Sequence, residues 1–455
     1  MVDFVSINPT TGETCFQLPA ISDSDIESAV SDSLHSYRIW KNSNVPERVS
    51  VLLAYADALD RERNALASAI TEEMGKPITE ARAEIEKSAF LCRHLSKNLE
   101  CYLAPQRLKI DDKNAVIRPD PLGILYSITP WNFPIWQMLR FAAPAIAAGN
   151  VVVVKPAPNV MKTSNMLVNV LARAVPEHEL YRLLPITIDQ SNRLIEDPRI
   201  SAIGLTGSEL AGSAVASVAG RNLKKTVLEL GGSDPFIVLD DADIEQAARA
   251  GVKSRFQNAG QVCVAAKRFL ISDAIYDEFS ECFVSETERI LLGDPTLETT
   301  KMGPLARFDL SETLHQQMQN SIKSGARILR AGGPRQGDGF FFSPVVLENA
   351  PSHSSVRNEE TFGPVASLNK FHSIDEAISM ANESRYGLSS SVWTIDQDRA
   401  LGIAAQLETG GVFVNQISRT HPAAPVGGIK ASGYGRELGF DGIKELSNLK
   451  VIWTD

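Results

Sequence analysis

The sequence predicts an α/β protein of two or three domains built on parallel sheets, and three observations carry that reading. From residue 123 onward, short apolar runs of strand length alternate with helical stretches, the pattern of successive βαβ units. At 455 residues the chain exceeds one ordinary hydrophobic core. Apolar residues at 44% and charged residues at 22% suit a globular protein, and no repeat or low-complexity linker interrupts them.

The first hundred residues read as helical. Ser24-Asp25-Ile26-Glu27 has the pattern of a capping box and predicts a helix running to about Trp40. Pro46 suits a first helical turn and opens a second helix to Met74, where Gly75 and Pro77 stop it. A third covers residue 78 to about residue 99. Between 105 and 122 the pattern changes to two short alternating segments, 107–110 and 115–118, joined across 111–114. That is a hairpin signal, too small to stand alone and therefore expected to pair with something else, such as a partner subunit. Strands are then predicted at 123–129, 151–155, 181–185, 202–206 and 226–230, with helices between most of them. A second α/β region follows, with strands at 268–271, 390–394 and 411–415, and Lys450-Val451-Ile452-Trp453 reads as a last strand.

Charge and composition exclude several classes. A formal charge of −10 with no basic block argues against a nucleic-acid surface. Met1-Val2-Asp3-Phe4 has no basic n-region or apolar h-region, so no secretory signal is expected. The most apolar run, 151–154, is bounded by Gly149, Asn150 and Lys155 and falls far short of a membrane span. The five cysteines lack metal-ligand spacing and form no evident disulfide framework, so neither a zinc site nor any other metal is expected. A cytoplasmic enzyme is the class left.

Cys263 stands out by its company. It closes Gly260-Gln261-Val262-Cys263, and Glu229-Leu230-Gly231-Gly232 lies upstream. A cysteine can hold an acyl group as a thioester, and a carboxylate can activate the water that releases it. The pair could oxidise an aldehyde to an acid if an electron acceptor sat nearby. Yet no Gly-x-Gly-x-x-Gly opens any βα unit, so a conventional dinucleotide fold lacks its usual signature.

A series of segments resolves this. Pro130-Trp131-Asn132-Phe133-Pro134, Lys155-Pro156-Ala157-Pro158, Thr206-Gly207-Ser208, Glu229-Leu230-Gly231-Gly232 and Gly260-Gln261-Val262-Cys263 come first. Glu359-Glu360-Thr361-Phe362-Gly363-Pro364 and Gly427-Gly428-Ile429-Lys430-Ala431-Ser432-Gly433 follow in that order. The series resembles the aldehyde dehydrogenase superfamily over essentially the whole chain. Ala157-Pro158-Asn159-Val160 and Gln257-Asn258-Ala259 make it most like the short bacterial succinate-semialdehyde dehydrogenases.

The resemblance implies an aldehyde dehydrogenase-like fold of three parts. These are a variant Rossmann cofactor domain (1–104 and 123–230), an α/β catalytic domain (231–435) and a small β oligomerisation module (105–122 and 436–455). Homodimers or homotetramers follow from it. So does a cofactor held without the tight glycine turn. Thr206, Gly207 and Ser208 would meet the pyrophosphate at a helix start. Lys155 would reach the adenosine ribose and Glu360 the nicotinamide ribose, with Trp131, Leu230 and Phe362 beside the ring. Cys263 would be the nucleophile, Asn132 an oxyanion donor and Glu229 the base for hydrolysis. A glutamate at 229 favours water over coenzyme A as acyl acceptor.

Departures from the family pattern carry the finer expectations. Pro158 stands where NAD-specific relatives carry glutamate, which removes repulsion of a 2′-phosphate, and Ala157 adds no phosphate donor. NADP or NAD is expected, leaning to NADP. Arg140 matches the position that binds the distal carboxylate in succinate-semialdehyde dehydrogenases. Gln257 replaces a second arginine, and Ser418, Arg419 and His421 offer substitute donors around walls formed near Phe133 and Trp136. The expected reaction is oxidation of succinate semialdehyde or a similar ω-carboxy aldehyde. Other small aldehydes (glutarate semialdehyde, aminoaldehyde, aromatic) and a non-catalytic binding protein on this scaffold are the alternatives.

Overall fold

Six strands form the first sheet, in the order Gly433–Tyr434, Lys225–Glu229, Ile200–Thr206, Ile124–Thr129, Val151–Pro156, Tyr181–Leu183. All neighbours are parallel except the first pair. The computed structural model describes residues 3–337 and 339–454; Met1 and Val2, part of the signal-peptide reading, lie outside these. Val151, Val152, Val153 and Val154 are all fully buried, as expected of a parallel strand covered on both faces. Chain order steps outward in both directions from Ile124–Thr129, so a crevice opens at the carboxyl ends of that strand and Ile200–Thr206. Such a switch point is where open α/β sheets bind ligands.

The second sheet has seven strands: Arg327–Arg330, Val345–Glu348, Val365–Phe371, Ala266–Ser272, Asp234–Val238, Ser389–Trp393, Gly411–Val414. Only the Arg327–Arg330 edge is antiparallel. The hairpin Gln106–Ile110 with Lys113–Pro121 finds its partner in this same chain. The last strand, Ser447–Thr454, pairs along Lys113–Pro121 from Ser447↔Pro121 to Thr454↔Asn114.

Several local expectations are corrected. A hairpin, Asp3–Ile7 with Thr14–Pro19, precedes the helices. Ser22, not Ser24, caps Asp23–Trp40, because its side chain accepts from Asp25 N–H while Asp25 returns to the Ser22 N–H. The long second helix is two, Val45–Arg61 and Arg63–Met74, with Asn44 and Glu47 forming the capping box of the first. Gly433–Tyr434 returns to the first sheet, and Leu438, Ile443 and Leu446 join the core around that sheet and its helices. Residue 435 is therefore not a packing boundary.

Candidate active site

The crevice at the switch point is a cavity of about 410 Å³. Cys263 and Asn132 both open into it. The chain reaches Cys263 through an unusual turn. After the helix Ile244–Phe256, Asn258 (φ 50°), Ala259 (φ 52°) and Gly260 (φ 75°) are all left-handed. Left-handed backbone costs a non-glycine residue roughly 1–2 kcal/mol, so such a run persists only where its surroundings over-determine it. Here they do. Asn258 N–H donates to Glu80 Oε2 (2.9 Å) and Asn258 Nδ2 to Asn132 O (3.0 Å). Arg255 Nη2 donates to Gly260 O (2.6 Å), and Gln261 Oε1 accepts from Ala306 N–H (2.9 Å). Gly260 is obligatory, since a Cβ there would stand 2.5 Å from the Gly363 carbonyl.

Lys267 Nζ donates to the carbonyls of Val262 (3.1 Å) and Cys263 (2.8 Å), fixing the backbone under the thiol. Burial pushes the Cys263 thiol up to about 11; Arg140 and Lys267 oppose this, while Glu229 and Glu360 add to it. The paired glycines let two motifs touch. A Cβ on Gly231 would lie 2.6 Å from Glu360 Oε2, and one on Gly232 would lie 2.7 Å from Cys263 O. Gly232 N–H donates to Glu360 Oε1 (2.9 Å), and Lys267 Nζ lies 3.7 Å from the same oxygen.

Glu229 ends its strand between Thr206 on one side and Gly433 on the other. Burial raises its carboxyl to about 7, against the pull of Arg140 and with a push from Glu437. Asn132 is buried and donates one Nδ2–H to Gln261 O (3.0 Å), which leaves the other N–H for a ligand. The helix Pro134–Ala147 that follows has no local side-chain cap. Glu84 supplies one from afar: its Oε1 accepts from Ile135 N–H (2.9 Å) and Trp136 N–H (3.0 Å). Glu84 is ion-paired with Lys76, both fully buried, and Lys76 Nζ sits 3.6 Å from the centre of the Phe133 ring.

Most residues expected to meet a dinucleotide line the same cavity. Trp131 and Phe362 meet edge to face, 5.6 Å between centroids, on one wall, and Leu230 and Glu360 face in beside them. Lys155 and Ala157 line it from the strand Val151–Pro156 and the turn after it, and Thr206, Gly207 and Ser208 from the next strand. Ser208 caps the helix Glu209–Arg221, which offers the positive end of that helix to the cavity. Lys155 has no ion pair or side-chain hydrogen bond among the described residues, and burial lowers its amine below the usual lysine range. Pro158 lies outside the lining, exposed at the start of a short 3₁₀ turn. Among the described residues no group of His, Cys, Asp or Glu is placed to hold a metal ion.

A second cavity, about 320 Å³, borders Val264 next to the thiol and is walled by Arg419, Thr420, His421 and Val426. Arg419 and His421 line this cavity; Gln257 and Ser418 line neither. Phe133 and Trp136 also line neither, but pack beneath Lys76 and Lys87.

Arg140 is the clear correction. Its guanidinium is buried, ion-paired through Nε with Glu437, donates from Nη2 to Thr206 Oγ1 (3.2 Å), and stands 3.7 Å from Glu229 Oε2. A cation already held by two carboxylates is not presented to a substrate carboxylate. Sequence reasoning also missed Lys76, Glu80, Glu84 and Lys87. The signal was there: Glu80, Glu84 and Lys87 recur at i, i+4 and i+7 on the helix Ile78–Tyr102, among the apolar residues that it buries.

The profile of the aldehyde dehydrogenase family matches residues 2–452. The chain is 42% identical over 451 residues to the Escherichia coli (strain K12) succinate semialdehyde dehydrogenase NAD(P)+ Sad, covering 99% of this chain and 98% of that one. It is 40% identical over 451 residues to succinate-semialdehyde dehydrogenase NADP(+) 1 of Mycobacterium ulcerans (strain Agy99), covering 98% of each. The crystal structure of succinic semialdehyde dehydrogenase from Streptococcus pyogenes in complex with NADP+ superposes with a TM-score of 0.96 at 33% identity, over 99% of both chains.

Proposed function

Because the chain belongs to the aldehyde dehydrogenase family, we propose that it oxidises succinate semialdehyde to succinate with NADP or NAD. The observation that carries the chemistry is the single cavity shared by Cys263, Asn132, the uncommitted Lys155 and the Ser208 helix start. The relatives named above support the choice of aldehyde and cofactor.

In this reading Glu229 takes the Cys263 proton through a water and passes it to solvent, and Sγ attacks the aldehyde carbon. The oxyanion so formed meets the free Nδ2–H of Asn132 and the Cys263 backbone N–H. One such donor is worth about 2.7–4 kcal/mol. The nicotinamide, when bound, is the hydride acceptor. The thioester left on Cys263 is then opened by water, whose proton Glu229 takes; the carboxyl near 7 suits a base working at neutral pH. Collapse releases the acid and the thiolate.

We further assign the protein to homodimers or homotetramers in the cytoplasm. The exposed Leu449, Val451, Ile452 and Trp453 on an edge strand support self-association. Five cysteines free of disulfides suit a reducing compartment.

Initial rates of NADP and NAD reduction with succinate semialdehyde, beside butanal, test the reading. Preference for the charged aldehyde is expected; equal or better turnover of butanal removes the semialdehyde assignment.

A further inference from the structure

A short aldehyde with a far carboxylate needs a cation near the thiol, and Arg140 is not available for it. Lys87 is. It projects from the helix Ile78–Tyr102 with Nζ 4.1 Å from the centre of the Trp136 ring and donates to Thr420 Oγ1 (2.5 Å). Thr420 is a wall of the cavity that borders Val264, beside Cys263. An ammonium has three donors, and these contacts leave at least one N–H unused. Among the described residues Lys87 makes no ion pair, unlike Lys76, whose charge is matched by Glu84.

The electrostatics agree. Burial, aided by the neighbouring charges of Arg140 and Lys76, lowers the Lys87 amine to about 8. Glu84 and a Cys263 thiolate oppose them, so the amine and the thiol act on each other's charge. A half-buried cation short of a counter-ion gains most from an anion brought in beside it.

We propose that Lys87, steadied by Thr420 and the Trp136 ring, is the residue that binds the far carboxylate of the aldehyde. This rests on the substrate class proposed above and names its recognition site. Lys87 thus selects short aldehydes that end in an anion, and Arg140 serves the base instead.

The test compares kcat/KM for succinate semialdehyde and for butanal in the wild type, Lys87→Met and Lys87→Arg, with Lys87→Gln as a second neutral variant should the first not fold. Loss of one charge-assisted contact predicts that the succinate semialdehyde to butanal ratio falls about 10- to 100-fold in the neutral variants, chiefly through KM for the acid. Lys87→Arg keeps the preference. A wild type that prefers the acid while the neutral variants keep that preference overturns the role of Lys87 and leaves the substrate class standing. A wild type with no preference overturns both.

Discussion

Arg140 Nη2 stands 3.7 Å from Glu229 Oε2, and Nε of the same guanidinium is ion-paired with Glu437. Burial raises the carboxyl of the proposed base, and two residues that need not touch substrate adjust it. Arg140 lowers the Glu229 carboxyl and Glu437 raises it. Arg140→Gln should move the acidic limb of the pH–rate profile to higher pH, and Glu437→Gln should move it lower, by about one pH unit each. Arg140→Gln should also lower stability by about 3–5 kcal/mol, because it strands two buried carboxylates. Shifts in the same direction for both variants would remove Arg140 and Glu437 as the tuning pair.

With its thiol near 11, Cys263 rests protonated at neutral pH in the cofactor-free enzyme. Alkylation by iodoacetamide should climb about tenfold per pH unit through neutrality and show no plateau below about pH 10. A plateau near neutral pH would mean a resting thiolate.

Glu80 is a half-buried carboxyl raised to about 7 by loss of solvation, and it holds the Asn258 N–H. A carboxyl whose native value lies above its unfolded one stabilises fully below about 4.5 and loses that contribution as pH rises through about 7. Glu80→Gln keeps an acceptor oxygen and carries no charge. It should match the wild type in acid and exceed it at mildly alkaline pH by up to about 3 kcal/mol. Denaturant midpoints on both sides of neutrality read this directly.

Pro158 is exposed directly after Ala157, which lines the proposed cofactor cavity. Pro158→Glu places a carboxylate where a 2′-phosphate would approach. KM for NADP should rise about tenfold or more with KM for NAD little changed. Equal effects on both cofactors would place the adenosine ribose elsewhere.

The parallel strands were legible because doubly covered strands are unbroken apolar runs between glycine and proline, as at 151–154. The proposed nucleophile, oxyanion donor and base were legible because each sits in a motif joined to others in a fixed order. The roles of buried charges were not. Lys87 meets Thr420 across 333 residues, and Asn258 meets Glu80 across 178, distances at which no periodicity survives. Arg140 was placed by family position, and only the fold shows that Glu437 already holds it. The left-handed turn at Asn258 and Ala259 was hidden for the same reason. Alanine has no preference for that conformation, and the partners that impose it come from other elements.

The pairing of Gly433 with Glu229, with Ser432 Oγ donating to Gly231 O (2.7 Å), carries a consequence for biosynthesis. Glu229 leaves the ribosome well before Gly433–Tyr434, its second neighbouring strand, has been made. The base cannot be seated until that strand has emerged, however early the first lobe collapses. A nascent chain stalled before residue 433 would carry every proposed catalytic side chain and still lack the strand that holds Glu229 in place. Activity in a timed translation assay should thus appear only after residues 433–434 have emerged from the ribosome.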